Sequence, residues 1–238
     1  MILKPTENAT NAPKAYIYHL ARVLERRPVL GVREKEKFVQ LTQSYAQFCG
    51  VRILTYCVMV NYFEILAEVP QRPDRLPNLD ELIVRLMSIA SPQRVAAIRM
   101  ELVALPEEER ALRLESYWQR MWDLSLFMKG LKQRFGQWYN LGNGRTGPFW
   151  EDPFRRRKLI PGGSALVATA VAIDLTPVRA GAVAHQGAYR WTGYSEAMGG
   201  SETALAGYQV LMKAADGVER NPQEAFEKYQ LLLLEDGT

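Results

Sequence analysis

The amino-acid sequence predicts an α+β fold built on an antiparallel sheet, and three observations carry the prediction. Residues 15–22 (AYIYHLAR) alternate along an aromatic-rich run, the pattern of a half-buried strand. Residues 51–70 (VRILTYCVMVNYFEILAEVP) read as two short apolar strands with a polar break at Asn61. Between these stretches, Phe38, Leu41, Tyr45 and Phe48 recur at spacings of three and four, one face of a helix over residues 33–49 that Gly50 stops. Strand, helix, strand, strand is the opening of a ferredoxin-like sheet.

The remaining elements follow in order. Residues 1–14 are polar and hold Pro5 and Pro13, and read as a loose N-terminal arm. In the second strand of the pair, Phe63, Ile65, Ala67 and Val69 take one face, and Tyr62, Glu64, Leu66 and Glu68 the more polar one. Residues 71–77 are a charged, proline-rich connection, and 79–90 a helix. Ser91-Pro92 reads as a cap followed by proline at the first helical position. Pro106 starts another helix, whose positive end Glu107, Glu108 and Glu109 favour. The helical pattern continues to about Asn140, giving an insertion over about 78–140. LGNGRTGP (141–148) is a glycine-rich turn, 149–160 an extended basic segment, and 164–173 an alanine-rich helix that ends near Pro177. Two helices separated near Asn221-Pro222 form an acidic helical tail over 201–238, so the main domain spans 15–200.

Composition sets broad limits. At 238 residues, 47% hydrophobic and 24% charged, the chain suits an ordinary globular protein with a net charge of +4. Its two cysteines, Cys49 and Cys57, lie in apolar surroundings and read as buried thiols of a reducing compartment. Two histidines, His19 and His185, argue against a zinc site. MILKPTENATNAPK has no apolar run after a basic start, and no segment approaches the roughly 18 apolar residues of a membrane span. The expectation is a cytoplasmic protein without a membrane partner. Phosphate-loop, nucleophile-elbow and dinucleotide glycine motifs do not occur.

Charge is concentrated. From Lys129 to Lys158, Lys129, Lys132, Arg134, Arg145, Arg155, Arg156, Arg157 and Lys158 stand against Glu151 and Asp152, a net of +6. From Ser201 onward, seven acids face three bases, a net of −4. Phe135, Trp138, Tyr139, Phe149, Trp150 and Phe154 interleave with the basic run. Cations for phosphates among flat rings for unstacked bases suit single-stranded nucleic acid. A solvated basic loop with core aromatics has the same composition.

Five segments in order then resemble one family. They are Tyr18-His19 with Arg22 and the Glu25-Arg26-Arg27 turn, the strand pair 51–70, GRTGPFWE (144–151), AIDLTPVRAG (172–181), and YRWTGY (189–194). Together they resemble the REP-associated tyrosine transposases of the HUH single-strand transposase superfamily, over about residues 15–200. The resemblance implies a transposase-like core with a helical insertion and a C-terminal helical extension.

In that family two histidines flanking a hydrophobic residue hold a divalent cation, a helical tyrosine attacks a DNA phosphate, and a polar residue four positions later completes the metal shell. On this chain the histidine positions fall on Tyr62 and Glu64, the nucleophile on Ala172, and the last ligand on Thr176. All four depart from the pattern, so no catalytic residue and no cofactor is expected. What the resemblance leaves is a domesticated binder of hairpin or other structured single-stranded DNA, with RNA as a second candidate. The groove would use Lys129, Lys132, Arg134, Arg145, Arg155, Arg156, Arg157 and Lys158, with Arg179 and Arg190 beside them. One alternative is a divergent nuclease using Mg2+ or Mn2+ at Glu64 and Asp174. Another is a protein adaptor that docks a partner through its C-terminal helices.

Overall fold

The computed structural model describes residues 14–75, 77–151 and 157–236. Strand β1 (Ala15–Arg22) pairs antiparallel with β3 (Tyr62–Val69) along its whole length, from Ala15 opposite Val69 to Arg22 opposite Tyr62. On the far side of β3 lies β2 (Arg52–Val58), with an irregularity between Ile53 and Thr55, and on the far side of β1 lies β4 (Arg157–Ile160). The sheet order is β2-β3-β1-β4, with every pair antiparallel. This is the ferredoxin-like order. The fold is α+β, as the opening strand–helix–strand–strand pattern predicts.

Helix α1 (Val32–Cys49) connects β1 to β2 and ends where Gly50 adopts φ 65°, its N–H bonded to Ala46 O. Four helices follow β3: α2 (Leu79–Leu86), α3 (Pro92–Ala104), α4 (Glu107–Trp118) and α5 (Leu124–Gly142). Asn78 and Glu81 cap α2 reciprocally, Ser91 accepts from Arg94 N at α3, and Asp123 accepts from Leu126 N at α5. After β4 come α6 (Ser164–Asp174), the single turn α7 (Thr176–Arg179), α8 (Gly193–Met198), α9 (Glu202–Asp216) and α10 (Pro222–Asp236). No helix among the described residues is long and apolar enough to cross a membrane.

Both faces of the sheet are covered. On one, Ile17, Ala21, Phe63, Ile65 and Ala67 meet α1, α2–α5, Phe149 and Trp150. An aromatic cluster ties this layer together: Phe38 lies 4.4 Å from Phe63 and 5.3 Å from Phe135, and Phe63 lies 5.2 Å from Trp150. On the other face, Leu54, Leu66 and Ile160 meet α6 and the helices α8–α10.

The segment from Ser201 onward, expected as an acidic tail, is therefore the lid of a second core. Tyr208, Leu211, Met212, Phe226, Tyr229 and Leu233 are all buried there. Among its described side chains, Glu202, Asp216, Glu219, Glu224 and Glu227 are exposed, and so are Leu231 and Leu234 on the outer face of α10. Glu68, on the face read as polar, is 1% exposed and paired with Lys14 and Arg52. Cys49 and Cys57 are buried free thiols, and burial pushes Cys49 up to about 12.

The close approach of α9 to β2 depends on Gly207. A Cβ there would lie 2.7 Å from Leu54 O and 2.8 Å from Ile53 O, both backbone atoms. Gly207→Ala is expected to force the helix off the strand and to destabilise the fold by about 2–4 kcal/mol, measured by urea unfolding.

Candidate nucleic-acid interface

The sheet places four sequence-predicted positions in one neighbourhood. Glu64 sits mid-strand in β3, opposite Leu20 on β1 and Cys57 on β2. Tyr18 on β1 lies opposite Leu66, so it is the diagonal neighbour of Glu64 on the same face. Its hydroxyl donates to Glu64 Oε1 at 2.6 Å. The other carboxylate oxygen, Oε2, accepts from Thr176 Oγ1 at 2.8 Å. Thr176 opens α7, and its Oγ1 is also 3.0 Å from the carbonyl of Ala172, one turn earlier in α6. Ala172 itself is exposed. Tyr62, two residues before Glu64, lies under the Arg22 guanidinium at 6.0 Å.

The donors here do not fit a divalent cation. Both Glu64 oxygens accept hydroxyl protons, from Tyr18 and from Thr176. Tyr62 is a neutral phenol, pushed up to about 12 by burial and by the nearby Glu64. Burial, and then the hydrogen bond to Glu64, also push the Tyr18 phenol up. One carboxylate among neutral hydroxyls is a thin shell for an ion that takes about six oxygens. Asp174 belongs to a separate cluster. It is fully buried, and accepts from Thr55 at 2.6 Å, Tyr208 at 3.0 Å and Tyr229 at 2.5 Å. Among the described residues no group of three or more His, Cys, Asp or Glu side chains is placed to hold a metal.

The basic candidates are distributed as follows. Lys129 and Arg134 are exposed on α5. Lys132, on the same helix, is 8% exposed and faces the core, where its carbonyl accepts from the Trp150 indole at 3.0 Å. Arg145 lies 6.0 Å from the Tyr139 ring. Arg155 and Arg156 lie outside the described residues, as do the side chains of Arg157 and Lys158. In β4 the backbones of those last two pair with His19 and Tyr18. Arg179 ends α7, exposed and without a side-chain partner among the described residues. Arg190 is exposed and paired with Glu36 at 3.1 Å.

By sequence, no family model and no curated protein matches the chain. Among solved structures it is similar to a REP-associated tyrosine transposase bound to a REP hairpin, at a TM-score of 0.48 and 10% identity, over 84% of this chain and 86% of that one.

The fold adds cations that the basic run did not include. The β1–α1 turn is bonded to the glycine-rich turn through Leu24 N to Phe149 O and Glu151 N to Arg22 O, each 2.9 Å. Arg26 and Arg27 are exposed at this junction, with Arg26 3.9 Å from Glu151. Glu25 and Arg26 take left-handed backbone angles, φ 61° and 54°. The turn is held in that shape by Asn61, whose side-chain amide donates to Arg26 O at 2.9 Å. Arg33, in the first turn of α1, lies over the Trp138 ring at 5.2 Å. The sequence signal for this cluster is RVLERRP (22–28) directly after the first strand. Tyr18 has a weaker signal, an aromatic on the same strand face as Arg22.

Proposed function

We propose that this protein is a catalytically inactive, transposase-like binder of structured single-stranded DNA, with the hairpin as the form it binds. The observation that carries the reading is the state of Glu64. It stands where the resembled family keeps a metal ligand, and here its carboxylate is closed by Tyr18 and Thr176. Beside it, the position of the attacking tyrosine is Ala172, which has no nucleophilic atom.

The binding half of the reading rests on the cations around the glycine-rich turn. Arg33 and Arg145 each lie against an aromatic ring. Such an arginine stays extended and presents its donors to phosphate or its second planar face to a base. The β1–α1 turn adds Arg26 and Arg27 to the same junction.

The test is a gel shift with DNA hairpins at 50 and 200 mM salt, with RNA hairpins and a duplex as comparisons, alongside a nicking assay in Mg2+ and Mn2+. Engagement of about four phosphates would weaken binding roughly 50-fold over that salt range. No strand scission is expected in either metal. Binding to no hairpin, or binding indifferent to salt, removes the first half of the proposal. Metal-dependent nicking that Glu64→Ala abolishes removes the second.

A further inference from the structure

We infer that Glu64 acts as a positioning residue, clamping α7 to the sheet so that Arg179 is held as a nucleic-acid contact. The inference rests on the hairpin-binding reading and adds to it a role for the residue at the centre of the altered site.

The geometry runs from strand to arginine in short steps. Glu64 is fixed from the strand side by the Tyr18 hydroxyl at 2.6 Å, which crosses from β1. From the helix side it accepts the Thr176 hydroxyl at 2.8 Å. Thr176 is the first residue of α7 and Arg179 the last, three positions apart. Residues at that spacing share one helix face, so the anchored threonine and the arginine stand one above the other.

The turn also carries backbone bonds: Leu175 N to Val171 O joins it to α6, and Gly181 N to Val178 O and Ala182 N to Pro177 O close its end, each 2.9 Å. It is only four residues long, and is closed by the bonds Arg179 N to Leu175 O and Ala180 N to Thr176 O, each 2.9 Å. Gly181, at φ 68°, ends it. Leu175 and Pro177 are buried and hold its inner side. The hydrogen bond from Thr176 to Glu64 ties it to the sheet from its side-chain side. A four-residue turn has little stability of its own, so a side-chain anchor to the sheet adds to how firmly its last residue is placed.

Asp174 does not compete for Arg179, because its oxygens are held by Thr55, Tyr208 and Tyr229. Lys158 lies opposite Tyr18 in the sheet register, which places a second basic residue at the neighbouring strand position.

The experiment is a double-mutant cycle read by fluorescence anisotropy with a labelled DNA hairpin, together with hydrogen exchange across residues 176–182 of the free protein. Glu64→Ala and Arg179→Ala should each weaken binding about 10-fold, and the double variant no more than 2–3-fold further. Glu64→Gln keeps an acceptor for Thr176 and should restore most of the affinity. Thr176→Val removes the same bond from the helix side and serves if Glu64→Ala does not fold. Both breaks should speed exchange in 176–182. Losses that multiply in the double variant, or unchanged exchange in Glu64→Ala and Thr176→Val, overturn the inference while leaving hairpin binding in place. A wild-type protein that binds no hairpin overturns both.

Discussion

Replacing Asp174 by alanine is expected to destabilise the protein by about 3–5 kcal/mol, measured by urea unfolding at neutral pH. The carboxyl is fully buried and is the shared acceptor for Thr55 of β2, Tyr208 of α9 and Tyr229 of α10. Its removal leaves three buried hydroxyls without that acceptor. Each lost partner costs about 1 kcal/mol or more, and the cavity adds to it. The loss should appear first as detachment of α9 and α10, because this cluster is the polar tie between those helices and the sheet.

The same carboxyl gives a pH dependence of known sign. Burial pushes it up to about 7, against three hydroxyl bonds that pull it down, whereas an ordinary aspartate titrates near 3.8. The folded state thus holds this proton more tightly than the unfolded chain does. The stabilisation is complete below about pH 4 and is lost as the pH rises to about 7. Three pH units correspond to at most about 4 kcal/mol. Asp174→Asn removes the titration, so the stability difference between wild type and this variant should shift against the wild type between pH 4.5 and 7.5. A difference that stays flat over that range would show that Asp174 titrates near its ordinary value.

Much of the fold was legible because local chemistry and tertiary environment agree. The alternation of AYIYHLAR marks β1 with both ends correct, and Asn61 breaks the strand pair where β2 and β3 separate. Ser91-Pro92 and Gly50 mark helix ends by backbone requirements that hold whatever packs nearby.

What was not legible depends on partners far apart in sequence. Asp174 reads locally as an acid at a helix end, and its hydroxyl partners lie 119, 34 and 55 residues away. Tyr18 and Glu64 are 46 residues apart, and only the β1–β3 register makes them neighbours. The apolar stripe of α9 shows that the helix is buried, but not that a second sheet face receives it. Lys132 is a different case, since its environment could have been read. It follows Met128 by four residues and precedes Phe135 by three, on the stripe that faces the core. Its charge places it in the basic run, and its position on the stripe places it among the buried residues of α5.

Reversing Arg33, Arg134 and Arg145 together to glutamate is expected to weaken hairpin binding by 10²–10³-fold at low salt, about 3–4 kcal/mol. It should also lower the slope of log affinity against log salt by about 2, since each neutralised phosphate contributes roughly 0.7 for single strands. The matched control is Arg94, Arg99 and Arg113 to glutamate on α3 and α4. It makes the same change in net charge on exposed arginines, two of which are paired with Asp80 and Glu101. A general loss of positive charge would affect both triples alike through the long-range field. A local interface affects the first and spares the second beyond a few-fold. Retained affinity in the first triple would move the interface away from the glycine-rich turn, and equal losses in both would mean that net charge, not this surface, governs binding. Arg33 and Arg145 also lie against Trp138 and Tyr139, so the readout needs a thermal melt on each triple. Surface changes of this kind usually shift stability by about 0.5 kcal/mol each, well below the expected effect on binding.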